Sequence, residues 1–266
     1  MQAFGGDTLA AGRKCSMKSK LLIPILTAVL SLGIPGAYAQ NDNQLQAQAQ
    51  KALSSSKLKD VQVSVQNGVV TLNGSVDVYD LKEEADRKVH RIKGIKGVEN
   101  DIQVAGPEVS DQELQEKLTK AIAYDRVGYG TTPFNAISIA VNSGVVTLGG
   151  HAYGPVDADS AVAVAANTKG VKDVINDIQV DPLSPMDDRI RLSVYRSVYG
   201  FPSLNRYAID PEKPIRISVQ SGNVTLYGVV DSQADKDAAG IRANSVPGVF
   251  HVDNQLQVAN AKPEGK

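Results

Sequence analysis

Three histidines, two pairs of closely spaced aspartates and a set of glycine-bounded runs are where this 266-residue chain has residue types suited to chemistry. His90, His151 and His251 would need a partner at fixed spacing to act as base or metal ligand, and none belongs to an HExxH-type pair. His90 stands between Lys88 and Arg91 at helical spacing and reads as part of a solvated face. His151 follows Gly150, and its counterparts elsewhere in the chain are Ser75 and Val229, so it reads as a variable strand position. Asp157 with Asp159, and Asp235 with Asp237, stand where helices should open, and acids suit the positive end of the helix dipole. Their spacing is not that of an EF-hand loop. Gly68-Val-Val-Thr-Leu-Asn-Gly74 leads into a strand rather than a helix N-terminus, so the geometry that cradles a phosphate is missing. No Gly-x-Ser-x-Gly elbow occurs. One cysteine, Cys15, excludes an intramolecular disulfide and any zinc site with two thiolates. The expectation is a non-enzyme, with no catalytic residues, no metal and no cofactor.

Two other features suit binding. Lys82, Arg87, Lys88, Arg91 and Lys93, with Lys96 just beyond, form a basic stripe that could meet anionic lipid headgroups, each charge contributing about 1 kcal/mol near the surface. Glu83, Glu84 and Asp86 lie among them, so a plain solvated face is the competing reading. The second feature is a pair of long loops. Tyr124, Tyr129 and Phe134 fall in one, and Tyr195, Tyr199, Phe201 and Tyr207 in or beside the other. Tyrosine and arginine at this density suit a partner or membrane-surface contact. Packing between modules is the alternative.

The elements that must position these residues come as a threefold repeat. Val61 to Gly74 (VQVSVQNGVVTLNG) recurs as Ile137 to Gly150 (ISIAVNSGVVTLGG) and Ile215 to Gly228 (IRISVQSGNVTLYG). A second block follows at constant spacing: Gly94 to Val104, Gly170 to Val180 and Gly248 to Val258. In each copy a period of two marks two strands around a hairpin turn. Asn67-Gly68 is the strongest such turn signal, and Ser143-Gly144 and Ser221-Gly222 are weaker versions of it. Leu81, Ala85, Val89 and Ile92 then change to helical spacing, with Gly94 as a stop, and Val98, Ile102 and Val104 alternate as a third strand. A helix also precedes each hairpin. Ser110-Asp-Gln-Glu113 is a capping box for one, and Ser184-Pro185 supplies a cap and first-turn proline for another. The repeated glycines, Gly68, Gly74 and Gly94, then Gly144, Gly150 and Gly170, then Gly222, Gly228 and Gly248, are expected to serve turns and close packing. The predicted fold class is α+β: three tandem αββαβ modules, each a mixed three-stranded sheet with two helices on one face. The other face is expected to be polar.

The run Gly-x-Val-Thr-Leu-x-Gly, the helix, and then Gly-Val/Ile-x-x-Val-x-Asn-x-Ile/Leu-x-Val resemble the BON domain, a module of bacterial envelope proteins. The resemblance spans nearly the whole chain beyond its leader. It implies binding to phospholipid membranes or envelope proteins, with osmotic or envelope-stress and chaperone-like roles, the latter including the holding of unfolded outer-membrane proteins. The departure lies in three modules where two are familiar, and in the lack of a lipid-anchor motif.

From Met17, a basic start, a short apolar core over 21–30 and the small-residue end Ala37-Tyr38-Ala39 match a secretory signal peptide cut after Ala39. The apolar core is too short and too broken by proline for a membrane span. Export to the periplasm follows, with peripheral rather than transmembrane contact to any membrane. The expected division is a leader at 1–39, modules at 43–106, 109–181 and 185–259, and a disordered tail at 260–266. Formal net charge is −1 over the whole chain, which offers no bulk attraction to nucleic acid. Residues 43–106 hold nine basic and eight acidic residues, residues 107–182 five and ten, and residues 183–260 eight and eight.

Overall fold

A computed structural model describes residues 35–182 and 184–259, with side chains from residue 41 onward. Most of the leader, Cys15 and the C-terminal tail lie outside the described residues.

In the first module the order is α1 (Pro35–Ala52), β1 (Val61–Gln66), β2 (Val69–Val76), α2 (Tyr79–His90) and β3 (Gly97–Val104). β2 is the central strand, antiparallel to β1 and parallel to β3. The turn between β1 and β2 needs positive φ at both central residues, and Asn67 and Gly68 adopt 54° and 82°. The two weaker turn signals form the same turn, Ser143 and Gly144 at 53° and 80°, Ser221 and Gly222 at 51° and 77°. Gly74 is required for a different reason: a Cβ there would lie 2.1 Å from the Asp60 carbonyl oxygen, and φ is +122°. Ala49, Leu53, Val63, Val70, Leu72, Leu81, Ala85, Val89 and Ile102 close the core between the sheet and the two helices. Each large aliphatic side chain so buried contributes about 1.5–3 kcal/mol.

The second module repeats the order with α3 (Asp111–Asp125), β4 (Ala136–Asn142), β5 (Val145–Ala152), α4 (Pro155–Ala166), β6 (Asp173–Asn176) and β7 (Gln179–Val180). The third has α5 (Pro185–Tyr199), β8 (Arg216–Gln220), β9 (Asn223–Tyr227), β10 (Val229–Val230), α6 (Gln233–Asn244), β11 (His251–Asn254) and β12 (Gln257–Val258). Pairing follows the first module, except that the third strand is broken in two in both later copies and the second strand of module 3 is interrupted at Gly228. The break follows Asn176 and Asn254, whose side-chain oxygens accept from the amides of Ile178 and Leu256, as Asn100 does from Ile102 in the unbroken β3. The predicted αββαβ modules with mixed sheets are what the chain folds into. Both caps form as well: Ser110 accepts from the Glu113 amide at 3.2 Å and Ser184 from the Asp187 amide at 3.3 Å.

One aspartate per module ties the first helix to the hairpin. Asp42 accepts from the amides of Asn67 and Gly68, and Asp111 from those of Ser143 and Gly144, all at 2.7–2.9 Å. Asp187 accepts from the amides of Ser221 and Gly222 at 2.8–3.0 Å. Those amides have no partner within the hairpin ladder, so the carboxylate satisfies donors that would otherwise face only water. Gly68, Gly144 and Gly222 therefore serve the turn twice, by their backbone angle and by a donor given to the clamp. Among the described residues no helix is long and apolar enough to cross a membrane.

Candidate functional site

The basic stripe begins on α2, whose inner face is fixed by the buried Leu81, Ala85 and Val89, and runs past its end, Arg91 and Lys93 lying in the turn that follows. Much of its charge is shared with neighbouring acids. Arg87 pairs with Asp80 at 3.4 Å, Lys88 with Glu84 at 2.7 Å and His90 with Asp86 at 2.9 Å. Exposed pairs of this kind contribute about 0.2–1 kcal/mol each, so they lower the local potential more than they stabilise the helix. Lys82, Arg91 and Lys93 make no ion pair among the described residues, and Arg91 and Lys93 are exposed.

The long loops of modules 2 and 3 fold around buried carboxylates. Asp157, on the first turn of α4, accepts from Arg126 Nε at 3.0 Å, the Thr131 hydroxyl at 2.6 Å and Asn135 Nδ2 at 2.9 Å. Asp235, at the matching place on α6, accepts from Arg206 at 2.5 Å, the Tyr207 hydroxyl at 3.1 Å and the Ser232 hydroxyl at 2.8 Å. Burial pushes the Asp235 carboxyl up, but the hydrogen bonds from Ser232 and Tyr207 and the Arg206 charge outweigh it and leave it below the usual range. Module 1 has Leu81 at this position and no long loop. These acids therefore do more than complement a helix dipole.

The aromatic residues divide accordingly. Tyr124 and Tyr129 are exposed, with the Arg126 guanidinium 4.1 Å above the Tyr129 ring. Phe134, Tyr199 and Tyr207 are buried, and Tyr195 and Phe201 are half-buried against the core of module 3. Phe134 belongs in sequence to module 2 yet sits in that core, 5.9 Å from the Tyr195 ring and 5.8 Å from Tyr153. The Tyr199 hydroxyl donates to the Ile215 carbonyl at 2.7 Å, and burial raises its pKa. Interior packing is thus the role of five of the seven aromatics.

Between modules 2 and 3 lies a polar cluster that periodicity did not reveal. Asp181, whose side chain is fully buried, accepts from the Ser218 hydroxyl at 2.7 Å and Gln220 Nε2 at 2.9 Å, with His151 Nδ1 at 3.2 Å. Arg191, itself buried, lies 3.7 Å away and also pairs with Asp188. Serine, histidine and aspartate meet here, but not as a nucleophilic triad. Ser218 is buried and gives its proton to the aspartate, and no imidazole nitrogen is placed to take it. His151 is therefore a joint residue as well as a strand residue. The one sequence signal was that only the second copy has histidine, and an aspartate thirty residues later, at these places. Arg216 completes the joint: it donates to the carbonyls of Asn135 at 2.7 Å and Thr132 at 3.4 Å, and burial lowers its pKa. The contact between modules 1 and 2 is of another kind, with Tyr79 at the start of α2 packed against the second core.

The model of the BON domain family matches residues 41–106, 110–182 and 203–260, together well over half of the chain. This chain is a BON-domain protein. Osmotically-inducible protein Y of Escherichia coli (strain K12) is 28% identical over 171 residues, covering 60% of this chain and 78% of the relative. A protein of Anaplasma centrale described as the uncharacterized protein in gshII 5′region is 30% identical over 122 residues, covering 45% of this chain and 81% of its own. Among solved structures, the C-terminal domain of CdsD, a structural protein of the type III secretion system of Chlamydia trachomatis, aligns with 80% of this chain and 96% of its own at 14% identity and a TM-score of 0.23. The third BON match begins at residue 203, beyond α5, and so leaves out the helix that carries Asp187, Arg191, Tyr195 and Tyr199.

Proposed function

We propose that this BON-domain protein is exported to the periplasm after cleavage of its leader behind Ala39, and binds the surface of anionic phospholipid membranes as part of the response to osmotic stress. The reading draws on the family and on the relative whose name records osmotic induction. The observation that carries it is the segment from α2 through the turn that follows it, where Lys82, Arg91 and Lys93 make no ion pair among the described residues. A phosphate headgroup would take the place of the missing carboxylates. Binding is then electrostatic, peripheral and non-enzymatic, with no covalent step and no cofactor.

Flotation with liposomes tests it. The chain lacking residues 1–39 should float with vesicles containing phosphatidylglycerol at low salt, stay behind with pure phosphatidylcholine, and be released as salt rises. Failure to float with either vesicle at low salt sinks the lipid reading. Stoichiometric suppression of the aggregation of an unfolded outer-membrane protein, indifferent to added lipid, would replace it with a chaperone role.

A further inference from the structure

The sheet face of module 3 turned away from its helices opens, beside the joint with module 2, into a groove of about 420 Å³. Strand register explains its composition. Gln220 of β8 pairs with Asn223 of β9, Ser218 with Thr225 and Arg216 with Tyr227, so one face presents only polar and aromatic side chains. His151 enters the same groove from β5.

Three properties define what such a groove holds. The first is unspent hydrogen-bonding capacity on side chains already held in place. Gln220 commits its amide nitrogen to Asp181 at 2.9 Å, and Asn223 commits its own to the Gln220 carbonyl at 3.2 Å. Their side-chain oxygens, the Ser221 hydroxyl and His151 Nε2 have no partner among the described residues. In the neutral tautomer that gives Nδ1–H to Asp181, the imidazole presents Nε2 as an acceptor. The second is an aromatic surface: the rings of His151 and Tyr227 lie within 23° of parallel with centroids 6.0 Å apart. The third is the absence of a cation from the lining. Arg216 is turned to the carbonyls of module 2, Arg191 lies with Asp181 and Asp188, and the Asp181 carboxylate beneath the groove disfavours an anion.

Aromatic faces beside unpaired amide and hydroxyl groups, without net positive charge, match a neutral pyranose. Its C–H face lies on a ring and its hydroxyls donate to the amide oxygens. We propose that the groove between Tyr227, Gln220, Asn223 and His151 binds a neutral oligosaccharide. Modules 1 and 2 have Asn73 and Gly149 where module 3 has Tyr227, so the site belongs to the third module and its joint alone. It is separate from the basic helix, and neither proposal depends on the other.

Calorimetric titration of the chain lacking residues 1–39 with N-acetylglucosamine tetramer and, separately, with cellotetraose tests the proposal and separates an acetylated wall-type glycan from an unmodified one. Binding of at least one probe tighter than about 1 mM is expected, weakened about tenfold by Tyr227→Ala and by Asn223→Ala. Asn73→Ala in module 1 should bind as the parent does. Far-ultraviolet circular dichroism and melting show that the variants fold, and unchanged flotation of Tyr227→Ala separates this site from the lipid surface. Lack of binding of either sugar at that concentration overturns the proposal. So does undiminished binding by folded Tyr227→Ala and Asn223→Ala.

Discussion

Arg216, on the edge strand of module 3, donates to the backbone carbonyl of Asn135 in module 2 at 2.7 Å, and no carboxylate among the described residues pairs with it. A guanidinium held by carbonyls alone offsets its desolvation only through those hydrogen bonds, so its worth depends on what replaces it. Arg216→Ala leaves buried carbonyls unsatisfied beside a void and should destabilise modules 2 and 3 by about 2–4 kcal/mol. Arg216→Met leaves the same carbonyls without a donor but fills the space and removes the buried charge, and should cost about 1–2 kcal/mol less than Arg216→Ala. Urea unfolding of both variants measures the difference. Equal losses would mean that the charge, not the filling, holds the joint.

Phe134→Ala should cost about 3–5 kcal/mol, and it should fall on module 3 although the residue belongs in sequence to module 2. Native-state hydrogen exchange would show the protection of β8 and β9 amides falling before that of β4 and β5.

Asp235 contributes stability that depends on pH. Its folded-state pKa is depressed, so the contribution is present above the unfolded value near 3.8 and is lost as pH falls through the lower folded value. Asp235→Asn should therefore be less stable than the parent at neutral pH. Its melting temperature should fall less steeply than the parent's as pH drops from about 5 to about 3. Parallel curves across that interval would assign the acid response to other groups.

The turn clamps differ in burial, and so should their removal. Asp187 is buried, and Asp187→Ala should cost about 2–4 kcal/mol by leaving the Ser221 and Gly222 amides without acceptors. The turn of module 1 is more open to water, and Asp42→Ala should cost about 0.5–1.5 kcal/mol. Thermal melts of the two single variants read the ratio.

Charge reversal on α2 and in the turn after it addresses the membrane reading. Lys82→Glu, Arg91→Glu and Lys93→Glu together remove about 3 kcal/mol of attraction and should weaken binding to anionic vesicles by at least two orders of magnitude. The same change at Arg87 and Lys88, which already share their charge with Asp80 and Glu84, should do less per residue.

Local signals made most of the fold legible. Alternation in Val61, Val63 and Val65, the Asn67-Gly68 turn and the spacing of Leu81, Ala85 and Val89 state where each strand and helix lies, because each depends only on near neighbours. The clamps join residues 25 to 35 positions apart and Arg216 reaches acceptors 81 and 84 positions away, which no periodicity encodes. Comparing the copies held an unused clue. Leu81 aligns with Asp157 and Asp235, and the two copies with the acid are the two with the long loop. Most of the aromatic residues that suggested a contact surface pack in or against the core of module 3 instead. Their side chains say nothing of direction until the carboxylate that folds the loop is known.

Phe134 and Arg216 each lie across the boundary that the repeat draws. The unit that was copied is thus not the unit that can be cut out. A fragment ending at 182 would carry a phenylalanine stripped of its cover from module 3, and one starting at 185 would carry an arginine without its acceptors. Dissection by sequence boundaries would then measure the damage of the cut, and the smallest faithful fragment of the C-terminal half is the pair of modules together.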